Sequence, residues 1–362
     1  MSAYLKPRLK SFVEFCLKNE KIYFFAKPNI AIELTDSNQF IFNVCKLMDG
    51  VKNFDEITQS LYPSYPKEVH FLEDLLKVLD KEYLLEDVSK NFSRTLSQYD
   101  IDRWSRNIEF FSSYCKATEN KYFLQEKLQE VKVAIFGLGG VGSNVLYNLI
   151  AMGVNHIVAI DYDTVELPNL NRQIIYNESD IGRLKSIAAK ERINDFINNK
   201  NIKFINKKIT CSDDISHIIH DYDYVITAID QPRDKIMDWF NLACVGQSKP
   251  FFCGALDNRV AIYYVITPGK SGCIECWKKN KKTSFLFQDL LQEKNFISAN
   301  SANLAMMPMI SILSGLMANE FLKVVTGIGS VKPEGKLHSF DFFTSQITIA
   351  ESWQKHPDCP IC

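Results

Sequence analysis

Val131-Lys132-Val133-Ala134-Ile135-Phe136-Gly137-Leu138-Gly139-Gly140-Val141-Gly142-Ser143 is an apolar, β-branched run that breaks into a glycine-rich turn. The apolar periodicity from Val141 to Met152 then predicts a helix, and His156 to Ile160 predicts a second strand, completing a βαβ unit. In such a unit Gly137, Gly139, Gly140 and Gly142 let the backbone turn tightly and approach a phosphate. The first helical amides, Ser143 included, supply donors and partial positive charge. No GxxxxGK[ST] pattern is present, so the turn is not a P-loop. Asp161, about 20 residues beyond the glycines, ends the second strand, where a carboxylate accepts from a ribose hydroxyl. A tight strand-helix turn with no ligand is the plainer reading.

Downstream the alternation continues. Gly182 to Phe196 reads as a helix, Lys203 to Lys207 and Tyr224 to Ala228 as strands, and Lys235 to Val245 as a helix. Pro250 to Gly254 and Arg259 to Ile266 follow as strands. This order predicts an α/β fold with a mostly parallel, Rossmann-like sheet covered on both faces. Ala302 to Val325 reads as a helix interrupted near Pro308, and Lys336 to Asp341 with Ser345 to Glu351 as a hairpin. The polar stretch of about 278–300 reads as a loop over a site.

Upstream, residues 1–90 form a distinct small α+β unit. Lys21 to Phe25 and Ala31 to Leu34 are strand-like around a Pro28-Asn29 turn, and three short helical patterns follow through Leu79. Residues 91–117 read as a linker and an Arg-bearing helical segment, and 118–362 as the main domain.

The 362 residues carry 42 Lys+Arg against 43 Asp+Glu, so no overall field draws the chain to nucleic acid or anionic lipid. The N-terminus lacks the pattern of a secretory signal, and Ala302 to Gly327 contains Asn319, Glu320 and Lys323, which argues against a membrane span. The expectation is a cytoplasmic protein without nucleic-acid or membrane partners. Of ten cysteines, Cys273/Cys276 and Cys359/Cys362 form two CxxC pairs. Two such pairs complete a tetrahedral, structural zinc site; a redox CxxC is the competing reading.

On spacing alone the βαβ unit serves NAD and ATP equally. The stretch Asp161-Tyr162-Asp163-Thr164-Val165-Glu166-Leu167-Pro168-Asn169-Leu170-Asn171-Arg172-Gln173, with Lys185 thirteen residues beyond Arg172, favours ATP. Fixed cations suit charge developing in nucleotidyl transfer, whereas hydride transfer asks little of them. The plainer reading leaves Arg172 and Lys185 on a solvated face.

These residues, with a strand ending at Asp230, resemble the E1-like adenylating superfamily of ThiF, MoeB and the ubiquitin activators. The resemblance implies that the glycine turn, Asp161, Asp163, Asn169, Arg172, Gln173 and Lys185 bind ATP and that Asp230 coordinates Mg2+. It also implies the structural zinc at the four cysteines. An arginine supplied across a homodimer matches Arg106, in Arg103-Trp104-Ser105-Arg106, with Arg103 as its alternative. Arg106, Arg172, Lys185 and Asp230 would be the catalytic set. Trp277 to Ser301 holds no cysteine, which disfavours a thioester and leaves Cys211, Cys244 and Cys253 as distant candidates. The leading domain resembles the winged-helix recognition domains of ribosomal-peptide modifying enzymes, and the whole chain is similar to the microcin C-type peptide nucleotidyltransferases. That implies adenylylation of a carboxylate on a short ribosomal peptide held by the N-terminal domain. The alternatives are activation of peptide side-chain carboxylates for cyclisation, activation of a sulfur-carrier protein, and, for the first domain, a packing or dimerisation role.

Overall fold

The computed structural model describes residues 3–27, 30–198, 201–257, 259–280, 305–329 and 335–362. The chain forms two compact units, Met1–Lys127 and Leu128–Cys362.

In the first unit β1 (Pro7–Leu9) pairs antiparallel with β5 (Leu85–Asp87), and β2 (Glu14–Lys18), β3 (Lys21–Lys27) and β4 (Ile30–Thr35) form an antiparallel sheet. Three helices follow β4: α1 (Phe40–Leu47), α2 (Phe54–Leu61) and α3 (Leu72–Lys81). Their starts are written locally. Both Asp36 carboxylate oxygens accept from the Ile41 and Phe42 N–H groups, and Asn53 with Glu56 makes a reciprocal cap on α2. Ile22 and Phe24 of β3 meet Val44, Ile57, Leu61, Leu72, Leu76 and Leu79 in one buried core. The expected strand pair is thus β3 and β4 of a three-stranded sheet, with β3 central and β4 at one edge; its Pro28-Asn29 turn lies outside the described residues. Next come α4 (Gln98–Arg103) and α5 (Ser105–Ser112), both inside the first unit, and α6 (Phe123–Glu130) at its end.

The second unit is built on an eight-stranded sheet. Its parallel strands are β6 (Lys132–Phe136), β7 (His156–Ile160), β8 (Ile202–Ile205), β9 (Tyr224–Thr227) and β10 (Phe251–Asp257); β11 (Val260–Ile266), β12 (Lys336–Asp341) and β13 (Gln346–Ser352) are added antiparallel. The sheet is therefore mixed, because too few residues separate Asp257 from Val260, or Asp341 from Gln346, for a parallel crossover. From β6 the chain moves outward through β7 and β8, then returns to β9 on the other flank of β6. This reversal opens a crevice at the carboxyl ends of β6 and β9, the place where open α/β sheets bind ligands. β13 is exposed along nearly its whole length.

The sheet's helices are α7 (Gly140–Met152), α8 (Lys185–Phe196), α9 (Ser212–Ile219), α10 (Ile236–Gly246), α11 (Ile274–Asn280) and α12 (Met307–Thr326). Pro308 does not interrupt α12 but stands in its first turn, where the missing N–H removes no helical bond. By length and composition α12 could cross a membrane; here it packs on α7, β10 and β11 and buries Leu313, Met317 and Phe321. The loop expected over 278–300 lies, from residue 281 on, outside the described residues, as does the expected start of the following helix at Ala302.

Candidate nucleotide site and cysteine centre

Each glycine of the turn has a separate steric reason. Gly137 adopts φ +95°, and a Cβ there would lie 2.9 Å from the Ala228 carbonyl oxygen at the end of β9. Gly142 brings α7 so close to the turn that a Cβ would sit 1.9 Å from the Gly137 carbonyl oxygen. Gly139 is different: the nearest atom to an added Cβ is Gln173 Nε2 at 3.7 Å, an ordinary contact, so the protein itself leaves room for a Cβ there. Gly140, the first helical residue, is packed under Ile310 and the Arg172 carbonyl. The Ser143 hydroxyl does not face outward; it donates to the Gly139 carbonyl at 2.6 Å and closes the first turn of α7.

Asp161 holds this turn from below. One of its oxygens accepts from the Leu138 N–H at 2.6 Å and the other from the Asp163 N–H at 2.8 Å. Burial raises its pKa, and the nearby Lys185 ammonium opposes that shift. Lys185 is buried at the start of α8 and pairs with Asp163 at 3.1 Å. Its backbone N–H also donates to the Asp163 carbonyl, so chain 161–165 is stitched to 182–185. Asn169 is buried, its side-chain oxygen accepting from the Glu166 N–H. Arg172 donates to the Pro168 carbonyl at 3.0 Å and to Asn171 Oδ1 at 2.8 Å, and among the described residues no carboxylate pairs with it. Burial lowers its pKa, the mark of a cation held partly out of water without a counter-charge. Gln173 is buried beside Gly139, and among the described residues its Oε1 has no hydrogen-bond partner. Asp230 is exposed just past the end of β9, and its charge helps raise the pKa of Tyr162, for which burial is the larger cause. One exposed carboxylate suits Mg2+, which keeps most of its shell for water and phosphate oxygens.

The two CxxC pairs meet. Cys273 Sγ lies 3.9 Å from Cys276 Sγ and 3.6 Å from Cys359 Sγ; Cys362 Sγ lies 3.3 Å from Cys276 and 3.6 Å from Cys359. Four sulfurs bound at about 2.3 Å to a tetrahedral zinc would be about 3.8 Å apart, whereas a disulfide needs about 2.05 Å. All four sulfurs fall within 4.8 Å of one another, so the donor set fits a closed metal site. His356 is not a fifth donor to it: its backbone N–H donates to Cys276 Sγ, and its ring Nδ1 accepts from the Asp358 N–H. Trp277 and Trp353 stack beside the tetrad at 4.4 Å, the Trp353 indole donating to the Gly272 carbonyl.

The profile of the ThiF family matches residues 104–361. The chain belongs to the ThiF family. It is thereby a member of the E1-like adenylating enzymes. A sulfur carrier protein adenylyltransferase of Thermus thermophilus is 30% identical over 248 residues, 66% of this chain and 84% of that protein. The fold of nearly the whole chain is shared with Escherichia coli MccB solved with ATP, at TM-score 0.74 and 20% identity over 98% of this chain and 99% of the other. The microcin C7 biosynthetic enzyme MccB in complex with N-formylated MccA matches at TM-score 0.73 and 20% identity over the same shares.

Within this ThiF-family unit the structure draws together the turn, Asp161, Asp163, Gln173 and Lys185. Arg106 sits in the first unit, exposed on α5 and without a hydrogen bond or ion pair among the described residues. Arg103 instead donates to the Tyr99 hydroxyl at 3.0 Å and lies against the Tyr99 and Trp104 rings. Tyr176 is the residue that sequence reasoning passed over. It is buried, and its hydroxyl donates to the Leu138 carbonyl at 2.8 Å with the Lys185 carbonyl at 3.5 Å, bracing turn and α8 together. Ile174-Ile175-Tyr176 reads as plain core, and only the phenol oxygen separates Tyr176 from its neighbours.

Proposed function

We propose that the protein uses Mg-ATP to adenylylate a carboxylate of a short, ribosomally made peptide, acting as a homodimer in the cytoplasm. A carboxylate oxygen attacks the α-phosphorus, the bond from that phosphorus to the α,β-bridging oxygen breaks, and pyrophosphate leaves with its electron pair. The attacking acid is already anionic at neutral pH, so the demand on the protein is electrostatic rather than basic. Arg172 and Lys185 would face the phosphates, with Lys185 exchanging Asp163 for them. Asp161 would hold the ribose while fixing the turn through the Leu138 N–H. Asn169 and Gln173 would position the chain of phosphates. Asp230 would hold Mg2+, which when bound neutralises phosphate charge. Arg106, exposed and without a partner among the described residues, would complete the site of a second copy, while Arg103 is engaged within its own helix pair.

The observation that carries the peptide reading is the fold shared with MccB end to end, first unit included. Residues 1–90 would be a winged-helix-like recognition domain, 91–117 the segment presenting Arg106, and 118–362 the adenylation domain. Its peptide would add a strand to the β2-β3-β4 sheet and lay side chains beside α3. Zinc held by Cys273, Cys276, Cys359 and Cys362 would tie the end of the chain to its middle. Two of the three candidate sulfurs suit a thioester route poorly, since burial pushes the Cys253 thiol up to about 11 and raises Cys244 as well; the third, Cys211, is exposed at the start of α9. The 30% identity to the Thermus adenylyltransferase keeps a sulfur-carrier substrate as the second reading.

Incubation with Mg-ATP and short peptides encoded beside the gene, read by mass spectrometry, decides between them. Gain of AMP supports nucleotidyl transfer, loss of water supports cyclisation, and turnover of a Gly-Gly-tailed carrier with no peptide changed overturns the reading.

A further inference from the structure

Within its own helix α5 Arg106 has one acid, Glu109, at the i,i+3 spacing that pairs side chains on a helix surface, while Asp102, four residues earlier, lies on α4 and accepts from the Gln98 amide. The pair of Arg106 with Glu109 does not form. Glu109 Oε1 accepts from Lys121 Nζ at 2.9 Å, and Oε2 accepts from the Ser11 hydroxyl at 2.6 Å. Lys121 is buried between two acids, with Glu86 Oε2 at 3.5 Å. Glu86 is in turn bound by both Arg8 Nε and Nη2 and by the Asn91 amide. Four segments of the first unit, residues 8–11, 86–91, 109 and 121, therefore converge on one charged relay, Arg8–Glu86–Lys121–Glu109–Ser11. Burial opposes the charge on both Lys121 and Glu109, yet their partners raise the lysine and lower the carboxyl, so both stay ionised.

We propose that Lys121 and Glu109 are positioning residues for adenylyl transfer: the relay anchors α5 and occupies Glu109, keeping Arg106 free for a phosphate. This rests on the reading of Arg106 given under Proposed function. If Lys121 is removed, Glu109 loses its buried partner and gains a free oxygen, with Arg106 one turn before it on the same helix. Arg106 is then neutralised by its neighbour before it reaches a nucleotide.

The test is ATP–pyrophosphate exchange by Lys121→Met, Glu109→Gln, the double variant, and each combined with Arg106→Ala, after thermal unfolding has identified those that fold. Lys121→Met is expected to lower kcat about tenfold or more, with the peptide KM within about twofold of wild type. Adding Glu109→Gln restores most of the kcat, and Lys121→Met costs nothing further in the Arg106→Ala background. A wild-type kcat in Lys121→Met, a double variant no better than the single, or additivity with Arg106→Ala overturns the proposal. A crystal structure of Lys121→Met reads the relay independently of any reaction: Arg106 paired with Glu109 supports it, and an unchanged Arg106 overturns it. Should wild type exchange no pyrophosphate with any peptide, the peptide reading fails while that structure still judges the relay.

Discussion

Adding a single methyl group at two glycines of one turn should produce opposite failures. In Gly142→Ala the new carbon would stand 1.9 Å from the Gly137 carbonyl oxygen and 2.9 Å from its carbon. Both are backbone, so α7 itself has to move away from the turn. Overpacking of this kind costs about 1–3 kcal/mol or more, against which alanine returns about 1 kcal/mol of helix propensity. Because both opposing atoms are backbone the cost falls in the upper part of that range, and a net loss of about 1–2 kcal/mol lowers Tm by roughly 2–8 °C in a unit of this size. In Gly139→Ala the methyl meets nothing closer than Gln173 Nε2 at 3.7 Å, an ordinary contact, so the melting curve should overlay that of wild type. That surface is the one on which a phosphate would rest. A clash of about 1–3 kcal/mol there weakens ATP binding about 5- to 150-fold. Circular dichroism melts and isothermal titration with ATP measure the two effects on the same samples. Gly139→Ala binding ATP as tightly as wild type, or Gly142→Ala melting with wild type, would refute the division of labour drawn from the turn.

Three further outcomes are expected. Arg172→Ala and Asp230→Ala should each lower pyrophosphate exchange about 10²- to 10³-fold without a matching fall in Tm, and wild-type exchange in both removes their assigned roles. Cys359→Ser should lose one bound zinc by elemental analysis and about 10 °C or more of Tm, from several kcal/mol at about 2–4 °C each; a zinc-free wild type of equal stability contradicts the tetrad. Lys10 is buried, which depresses its ammonium to about 8. Between that value and the ordinary 10.5 the unfolded chain binds more protons than the folded one, so stability should rise with pH across this window. The gain is up to about 3 kcal/mol and should be absent in Lys10→Met; parallel chemical-denaturation curves for the two proteins speak against the burial argument.

Elements that bury one face on their own were legible before any coordinates. Phe54, Ile57 and Leu61, or Leu72, Leu75, Leu76 and Leu79, carry helical spacing that tertiary packing only confirms. β1 was not legible, because Pro7-Arg8-Leu9 is three residues whose partner, Leu85–Asp87, lies nearly the whole first unit away in sequence. α9 was also missed: Ser212-Asp213-Asp214 reads as a turn until Ile215 and Ile219 are seen to share a buried face. The nucleotide turn announced itself through glycines, since strained or crowded backbone leaves a mark in composition. Tyr176 left no such mark. The proposal of Arg106 over Arg103 rests on Tyr99, a neighbour whose hydroxyl has no sequence signature as an arginine acceptor.

Two of the four tryptophans lie face to face with their planes 6° apart, immediately beside the sulfur tetrad. Indoles at that separation couple electronically and give an exciton signal in the circular dichroism that vanishes when the rings part. Trp277 follows Cys276 directly, and Trp353 precedes the segment that delivers Cys359 and Cys362. The protein thus contains its own optical gauge: the couplet should report whether the tail is clasped, with no label and at any stage of turnover.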